Sequence, residues 1–343
     1  FMSSKEKDYI NLTKGDYFVT WNIETPFYCN EDHHPRNEKN HLNNEVRWNK
    51  IKDKIINEIN CESIICLQEV CREWCCKLYK IFNDKNYTLI SSLYGTKKNG
   101  YMGICITFPN KYSILDCKIE RVSELYKLPE KINDNYYDIH YNYFWGLSGY
   151  KTEDYMDIVK SRSNTVIALK LENKNNNSSF WVLNYHMPCI WRNPIILAIY
   201  CIIIQKFVRK ISNNGDIPCI ILGDFNSQPS SVQYEIMTNY SFDSIKNVLG
   251  DYPDFIKDEE FINFISVYKE KFNNEPICTN YAYCEKNGIF KGTLDYIFVT
   301  PNITVLDVDE LFYQKYFLPN EWPSDHLMIK AKLKIKDFYH LKN

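Results

Sequence analysis

Apolar runs of this chain stop repeatedly at residues that can handle a proton or a cation. They are Asn22, Glu69, His186, Asp224 with Asn226 two positions on, and the pair Asp325–His326, while Asp295 stands one residue inside a further run. A single acidic or amide residue at the end of a strand means little, because turns favour such residues anyway. Several together mean more. If the strand ends share one rim, their carboxylates repel unless a cation neutralises them, which predicts a hard metal bound through oxygen, magnesium first and manganese second. The stretch IILGDFNSQPSS, residues 220 to 231, shows the ambiguity of any one member: Asp224 and Asn226 follow an apolar run that ends at Gly223, and could cap a helix or floor a site. Its second half, with Pro229 and Ser230-Ser-Val-Gln233, reads as a capping box opening a helix.

The elements that must position these residues are legible in outline. Strand-like runs occur at 16–22, 63–69, 103–108, 164–171, 180–186, 219–226, 294–299 and 326–335, most of them rich in β-branched or aromatic residues and several alternating. Helices are expected at about 45–59, 69–83, 194–213 and 229–239. In the first, Val46, Trp48, Ile51, Ile55 and Ile59 recur at helical spacing opposite a lysine-rich face. PIILAIYCIII, residues 194 to 204, is too short to span a bilayer and reads as a helix buried on a sheet, with Gln205, Lys206, Arg209 and Lys210 returning it to solvent. Many strands overlaid by helices predict an α/β sandwich in one domain covering 1–343. The segments 26–44, 118–160 and 250–290 are long connections, a length that usually signals function or disorder, and ENKNNNSS at 172–179 reads as a solvated hairpin loop.

Composition sets the limits. A 343-residue chain with 45% apolar residues can build a sizeable core, and a net charge of -2 excludes coating of long duplex by bulk electrostatics. Thirteen cysteines, an odd number scattered among apolar residues, argue for buried reduced thiols in a cytoplasmic or nuclear compartment. Cys71-Arg-Glu-Trp-Cys75-Cys76 has no partner pair at metal-ligand spacing, so a zinc site built on paired cysteines is not expected. Residues 1–20 are charged and polar, so neither a secretory leader nor a membrane association is expected, and Phe1 before Met2 reads as an addition from cloning.

The ordered series TWN, CLQEV, SRSN, NYH, LGDFNSQPS, GTLDYIF and PSDHLMI resembles the endonuclease/exonuclease/phosphatase superfamily, and the resemblance runs from about residue 16 to 335. It implies a four-layer α/β sandwich with two central mixed β-sheets flanked by helices, and a metal-dependent phosphodiesterase or phosphatase. By the same resemblance Glu69 is the principal metal ligand, helped by Asn22 and Asp325. Asp224 orients and deprotonates the attacking water, and Asn226 fixes Asp224 and the phosphate. His326 stabilises charge on the phosphoryl oxygens while Asp295 holds its imidazole. His186 lies beside the scissile phosphate, and Arg162 and Asn22 contact it. Each residue has a structural alternative when taken singly. Asn22, Glu69 and Ser324-Asp325-His326 could be turn residues, His186 a packed strand histidine, and Asp295 a partner of a nearby lysine. All of those coincidences together are rejected.

Three segments resemble the deadenylase, nocturnin and 2′,5′-phosphodiesterase branch: EVRWNKIKDKIINEI, CTNYAYCEKNGIFKGTLDYIF and FLPNEWPSDHLMI. TWNIE also resembles the tyrosyl-DNA phosphodiesterases, and Asn184-Tyr185-His186-Met187 departs from the Asn-Thr-His-Leu usual in the branch. The aromatic-rich insertion 133–157 reads equally as a stacking platform for unpaired bases or as a self-packed lid. The expectation is a magnesium-dependent phosphodiesterase hydrolysing single-stranded RNA, a 3′-end exoribonuclease of deadenylase type. Hydrolysis of a small phosphoester (2′,5′-oligoadenylate, a nucleotide or an inositol polyphosphate), a DNA endonuclease, and an inactive RNA- or protein-binding scaffold stay open as alternatives.

Overall fold

The structure, a computed structural model, describes residues 15–35, 39–126, 155–190, 193–239, 241, 260–284, 288–311 and 322–335. Its strands are β1 (Asp16–Asn22), β2 (Ile64–Val70), β3 (Tyr87–Leu93), β4 (Gly103–Pro109), β5 (Tyr112–Arg121), β6 (Thr165–Asn173), β7 (Ser179–His186), β8 (Cys219–Asp224), β9 (Ile265–Ser266), β10 (Asn280–Cys284), β11 (Gly288–Gly292), β12 (Asp295–Val299), β13 (Ile303–Val308) and β14 (Ile329–Ile335). Helices α1 (Asn44–Asn60), α2 (Arg72–Asp84), α3 (Tyr155–Ser161), α4 (Pro194–Ile211), α5 (Val232–Thr238) and α6 (Val267–Phe272) accompany them. Two six-stranded mixed sheets form, in the orders β13-β14-β1-β2-β4-β3 and β5-β6-β7-β8-β12-β9, with β10-β11 as a separate hairpin.

Side-chain alternation divides the core into layers. Along β1 and β2, Phe18, Ile64 and Cys66 face the second sheet, where they meet Ile167, Val182, Ile220 and Ile297. Their neighbours Val19, Trp21, Ile65 and Leu67 face the opposite way, onto Trp48, Ile51, Ile55 and Ile59 of α1 and Trp74, Leu78 and Phe82 of α2. On the far side of the second sheet, Val166, Leu183, Tyr185 and Ile221 pack against α4. Helix, sheet, sheet, helix is the four-layer sandwich that the sequence implied.

The helices begin where the sequence supplies caps. Asn43 accepts the N–H groups of Glu45 and Val46 at the head of α1, a cap worth about 1 kcal/mol. Asn193 caps α4, with Pro194 opening the helix. At α5 the cap is Ser231, which accepts from Tyr234 N–H, so the cap lies one residue beyond Ser230 and the expected capping box does not form; Gln233 donates to the Pro194 carbonyl instead. Gln205 does not return α4 to solvent: it is fully buried and donates to the carbonyls of Ile236 and Ile262.

Parts of the expected long connections are ordered elements. Residues 118–121 complete β5, 155–160 lie in α3, and 265–272 and 280–284 hold strand and helix. The aromatic insertion falls outside the described residues up to 154. All described cysteines are free, and Cys61, Cys76, Cys117 and Cys189 are exposed rather than buried. Among the described residues no helix is long and apolar enough to cross a membrane.

Candidate active site

Strand register builds the site. In the second sheet β7 runs parallel to β8 with His186 opposite Asp224, and β12 runs antiparallel to β8 with Asp295 opposite the same Asp224. His186, Asp224 and Asp295 therefore form one row across three strands. In the first sheet Asn22 is opposite Gln68, which puts Glu69 at the same edge. The register of β2 against β4 shifts between Leu67 and Val70, and Glu69 in that bulge has a left-handed φ of 57°. Gly223 allows the row to form: its φ is 146°, and a Cβ there would stand 1.8 Å from the Tyr185 carbonyl oxygen.

Asn22 joins the two sheets. Its Nδ2 donates to Glu69 Oε1 at 3.2 Å and to Asp224 Oδ2 at 3.1 Å, and its Oδ1 accepts the Glu24 N–H at 3.0 Å. The second Glu69 oxygen accepts the Thr25 N–H at 3.1 Å. Asp224 is fixed by Asn226 through the main chain, whose N–H donates to Asp224 Oδ1 at 2.9 Å. The Asn226 side-chain amide donates to the Met187 carbonyl, and its own φ of 47° suits asparagine. Asp224 Oδ2 then faces two imidazoles, 3.6 Å from His186 Nε2 and 3.6 Å from His326 Nε2.

His326 is the most firmly held side chain of the site. Its Nδ1 bonds Asp295 Oδ2 at 2.8 Å, and the same oxygen accepts Thr279 Oγ1–H at 2.6 Å. Trp21 and Trp322 donate to the His326 carbonyl, and Ser324 accepts the His326 N–H while donating to the Asn22 carbonyl. Burial by itself would lower the imidazole's proton affinity, but Asp295, Asp325 and Asp224 outweigh it and hold the ring well above its ordinary pKa. His186 is held differently. Tyr94 bonds its Nδ1 at 3.3 Å, and Asn164 donates both to the Tyr94 hydroxyl and to the His186 carbonyl.

Asp325 accepts from Asn280 Nδ2. Burial first, then the charges of Glu24 and Glu69, push its carboxyl up to about 7 against the opposing pull of His326 and His34. Glu69, Asp325 and Asn22 Oδ1 are hard oxygen donors, and a divalent cation would neutralise the buried negative charge that raises the Asp325 proton affinity, so these residues fit an oxygen-bound metal. Asp224, Asp295 and His326 also bring one ligand-type atom each within 4.8 Å of the others, and there Asp295 Oδ2 is shared between His326 Nδ1 and the Thr279 hydroxyl.

The structure thus gathers Asn22, Glu69, His186, Asp224, Asn226, Asp295 and His326 through direct bonds or strand register, with Asp325 beside them. It does not bring Arg162 in. That residue is exposed, its carbonyl accepts from Arg121 and Ser123, and among the described residues no contact joins its guanidinium to the others. Sequence reasoning missed Tyr94, Thr279 and Thr25, which orient the named residues through bonds between separate segments, and Glu24, whose N–H holds Asn22 two residues away.

The family model described as the Endonuclease/Exonuclease/phosphatase family matches residues 19–326. Among curated proteins, the chain is 24% identical over 306 residues to the probable CCR4-Not complex 3′-5′-exoribonuclease subunit Ccr4 of Encephalitozoon cuniculi, covering 85% of this chain and 57% of that protein. It is 27% identical over 190 residues to 2′,5′-phosphodiesterase 12 of Bos taurus, covering 52% of this chain and 30% of that protein. The chain thus spans less than two thirds of either relative. Among solved structures, the human Nocturnin catalytic domain with bound sulfate aligns at a TM-score of 0.63 with 18% identity, over 94% of both chains. ANGEL2, a 2′,3′-cyclic phosphatase, in complex with adenosine-2′,3′-vanadate aligns at 0.67 with 17% identity, over 93% of this chain and 95% of that one. These two likenesses are of fold.

Proposed function

The chain belongs to the endonuclease/exonuclease/phosphatase family, and on that premise we propose that it hydrolyses phosphodiester bonds in single-stranded RNA, as a 3′-end exoribonuclease of the deadenylase type. The observation that carries the reading is the position of Asp224 Oδ2 between two imidazoles, 3.6 Å from each, with its other oxygen tied to the Asn226 N–H. The printed name of one curated relative, a 3′-5′-exoribonuclease subunit, supports RNA as the substrate, and that of another, a 2′,5′-phosphodiesterase, supports phosphodiester hydrolysis.

Each residue then has one task. Asp224 accepts the proton of the attacking water at Oδ2, the oxygen that is not engaged by the main chain. Protonated His326, fixed by Asp295 at Nδ1, offers its Nε2–H to a phosphoryl oxygen as charge builds there. Tyr94 bonds His186 Nδ1; with the hydroxyl as donor, Nε2 carries the ring proton and His186 too presents a donor beside the phosphate. Glu69, Asn22 and Asp325 would hold magnesium, with manganese as substitute, and the bound ion would supply Lewis-acid polarisation of the phosphate.

Incubation with Mg²⁺ and 3′-polyadenylated RNA, 2′,5′-oligoadenylate, abasic duplex DNA and inositol polyphosphates tests the reading. Stepwise shortening of the RNA from its 3′ end, lost on chelation and in folded Glu69→Ala, is the expected result. Turnover of the inositol compounds alone, or of no phosphoester, would overturn it.

A further inference from the structure

The segment leaving β1 buries a second set of ligand-type side chains apart from the catalytic row. Glu24, Cys29 and His34 are spaced Glu-x4-Cys-x4-His, none is more than 6% exposed, and one ligand atom of each lies within 4.8 Å of the other two. Two successive turns create the convergence. Cys29 N–H donates to the Thr25 carbonyl and His34 N–H to the Asn30 carbonyl, while Asn30 Oδ1 accepts the N–H groups of Asp32 and His33. Glu24 starts the first turn with a left-handed φ of 51°.

What this segment turns inward is unusual. Between residues 24 and 34 the only buried positions are Glu24, Thr25, Cys29 and His34, whereas Phe27, the largest apolar side chain there, is exposed. Burial of a carboxylate and an imidazole without apolar anchors of their own is costly unless their charge and lone pairs are satisfied. Arg47 on α1 meets part of that need: its Nη2 donates to Glu24 Oε2 at 3.2 Å. The other carboxylate oxygen, Oε1, is hydrogen-bonded to His34 Nε2, a bond that an ion seated between the two groups would replace.

We propose that Glu24, Cys29 and His34 form a second metal site, distinct from the one at Glu69, that takes a divalent ion of the zinc type. One thiolate, one imidazole and one carboxylate oxygen make a donor set of borderline softness, which suits zinc and is unsuited to magnesium or calcium, whose ligands are oxygens. Three protein ligands leave the fourth tetrahedral position to water. Binding forms the sulfur–metal bond as the Cys29 S–H proton passes to solvent, and the Arg47 hydrogen bond on Oε2 keeps the carboxylate oriented with Oε1 toward the ion. The site stands on its own geometry, independent of any substrate. It nevertheless reaches the catalytic row, because the Glu24 N–H holds Asn22 Oδ1 and the Thr25 N–H holds Glu69 Oε2. An ion clamping Glu24 would therefore stiffen the two residues that join the sheets.

Cobalt is the probe, since a thiolate bound to Co²⁺ gives a near-ultraviolet charge-transfer band. Chelator-stripped full-length protein titrated with Co²⁺ should develop that band to saturation at one ion per chain, and Zn²⁺ should bleach it while excess Mg²⁺ leaves it. Cys29→Ser should lose the band, and His34→Gln should weaken Co²⁺ binding at least about tenfold. Glu69→Gln should keep it, because the catalytic carboxylate is not a ligand here. Circular dichroism in chelator establishes that each variant is folded. Absence of the band in the wild-type protein, its persistence in folded Cys29→Ser, or its loss in folded Glu69→Gln would overturn the proposal, and each result is independent of whether the protein hydrolyses RNA.

Discussion

Two histidines stand at the same 3.6 Å from Asp224 Oδ2, yet the protein holds them in opposite ways. His326 leans on the carboxylate of Asp295, itself fixed by Thr279, amid further carboxylates that keep the ring a cation. His186 leans on the phenol of Tyr94, which orients the ring without adding a carboxylate charge. Equal distance with unequal support separates the two tasks in the proposed mechanism. There a cation locked in place would answer the charge of the transition state, whereas a ring oriented without added charge would serve as a donor.

The largest expected effect follows from the charge. His326→Ala should lower kcat by about 10³-fold or more with RNA affinity nearly unchanged, because its partner exists only in the transition state. A parallel loss of ground-state affinity, measured by RNA binding in calcium, would remove the distinction between the two rings.

Changing the supports rather than the rings sharpens the comparison. Asp295→Asn should cost about 10²-fold in kcat and Tyr94→Phe only about tenfold, since the first removes a charge as well as an orientation. The pH profile carries the sign. Asp295 is the leading charge that raises the His326 pKa, so wild-type protein keeps the imidazolium through neutral pH and loses it as pH rises through the elevated value. Without that carboxylate the value falls, and Asp295→Asn should lose activity at lower pH than wild type does on the alkaline side. Tyr94→Phe should leave that limb where it is. Identical profiles for the two variants would mean that the supports are equivalent.

Much of this arrangement was legible in the sequence, and the reasons are physical. An apolar run that halts at Asp224 or Glu69 announces both a strand and its polar end, and the order of such ends carried the fold. Strand β5 was less legible because it is a sheet edge: Ile114, Leu115 and Ile119 are exposed, so its pattern does not mark a buried face. Gln205 was misplaced because its amide satisfies the carbonyls of Ile236 in α5 and Ile262 inside the protein, a pairing that helical periodicity cannot reveal. Tyr94 had no signature at all. It is one of 27 tyrosines, and its role arises from a contact with a residue 92 positions away. Arg162 shows the converse, a residue suited to phosphate by type that the fold leaves exposed outside the bonded set.

The central claim is that Asp224, held between these two rings, takes the proton of the attacking water. Single-turnover hydrolysis of 3′-polyadenylated RNA by Asp224→Asn, at saturating Mg²⁺ and enzyme, tests it most directly. The account predicts a cleavage rate lowered by about 10³-fold with RNA binding intact, the cost of removing a general base within a preorganised site. A rate within about tenfold of wild type, below the usual contribution of a general base, would contradict it.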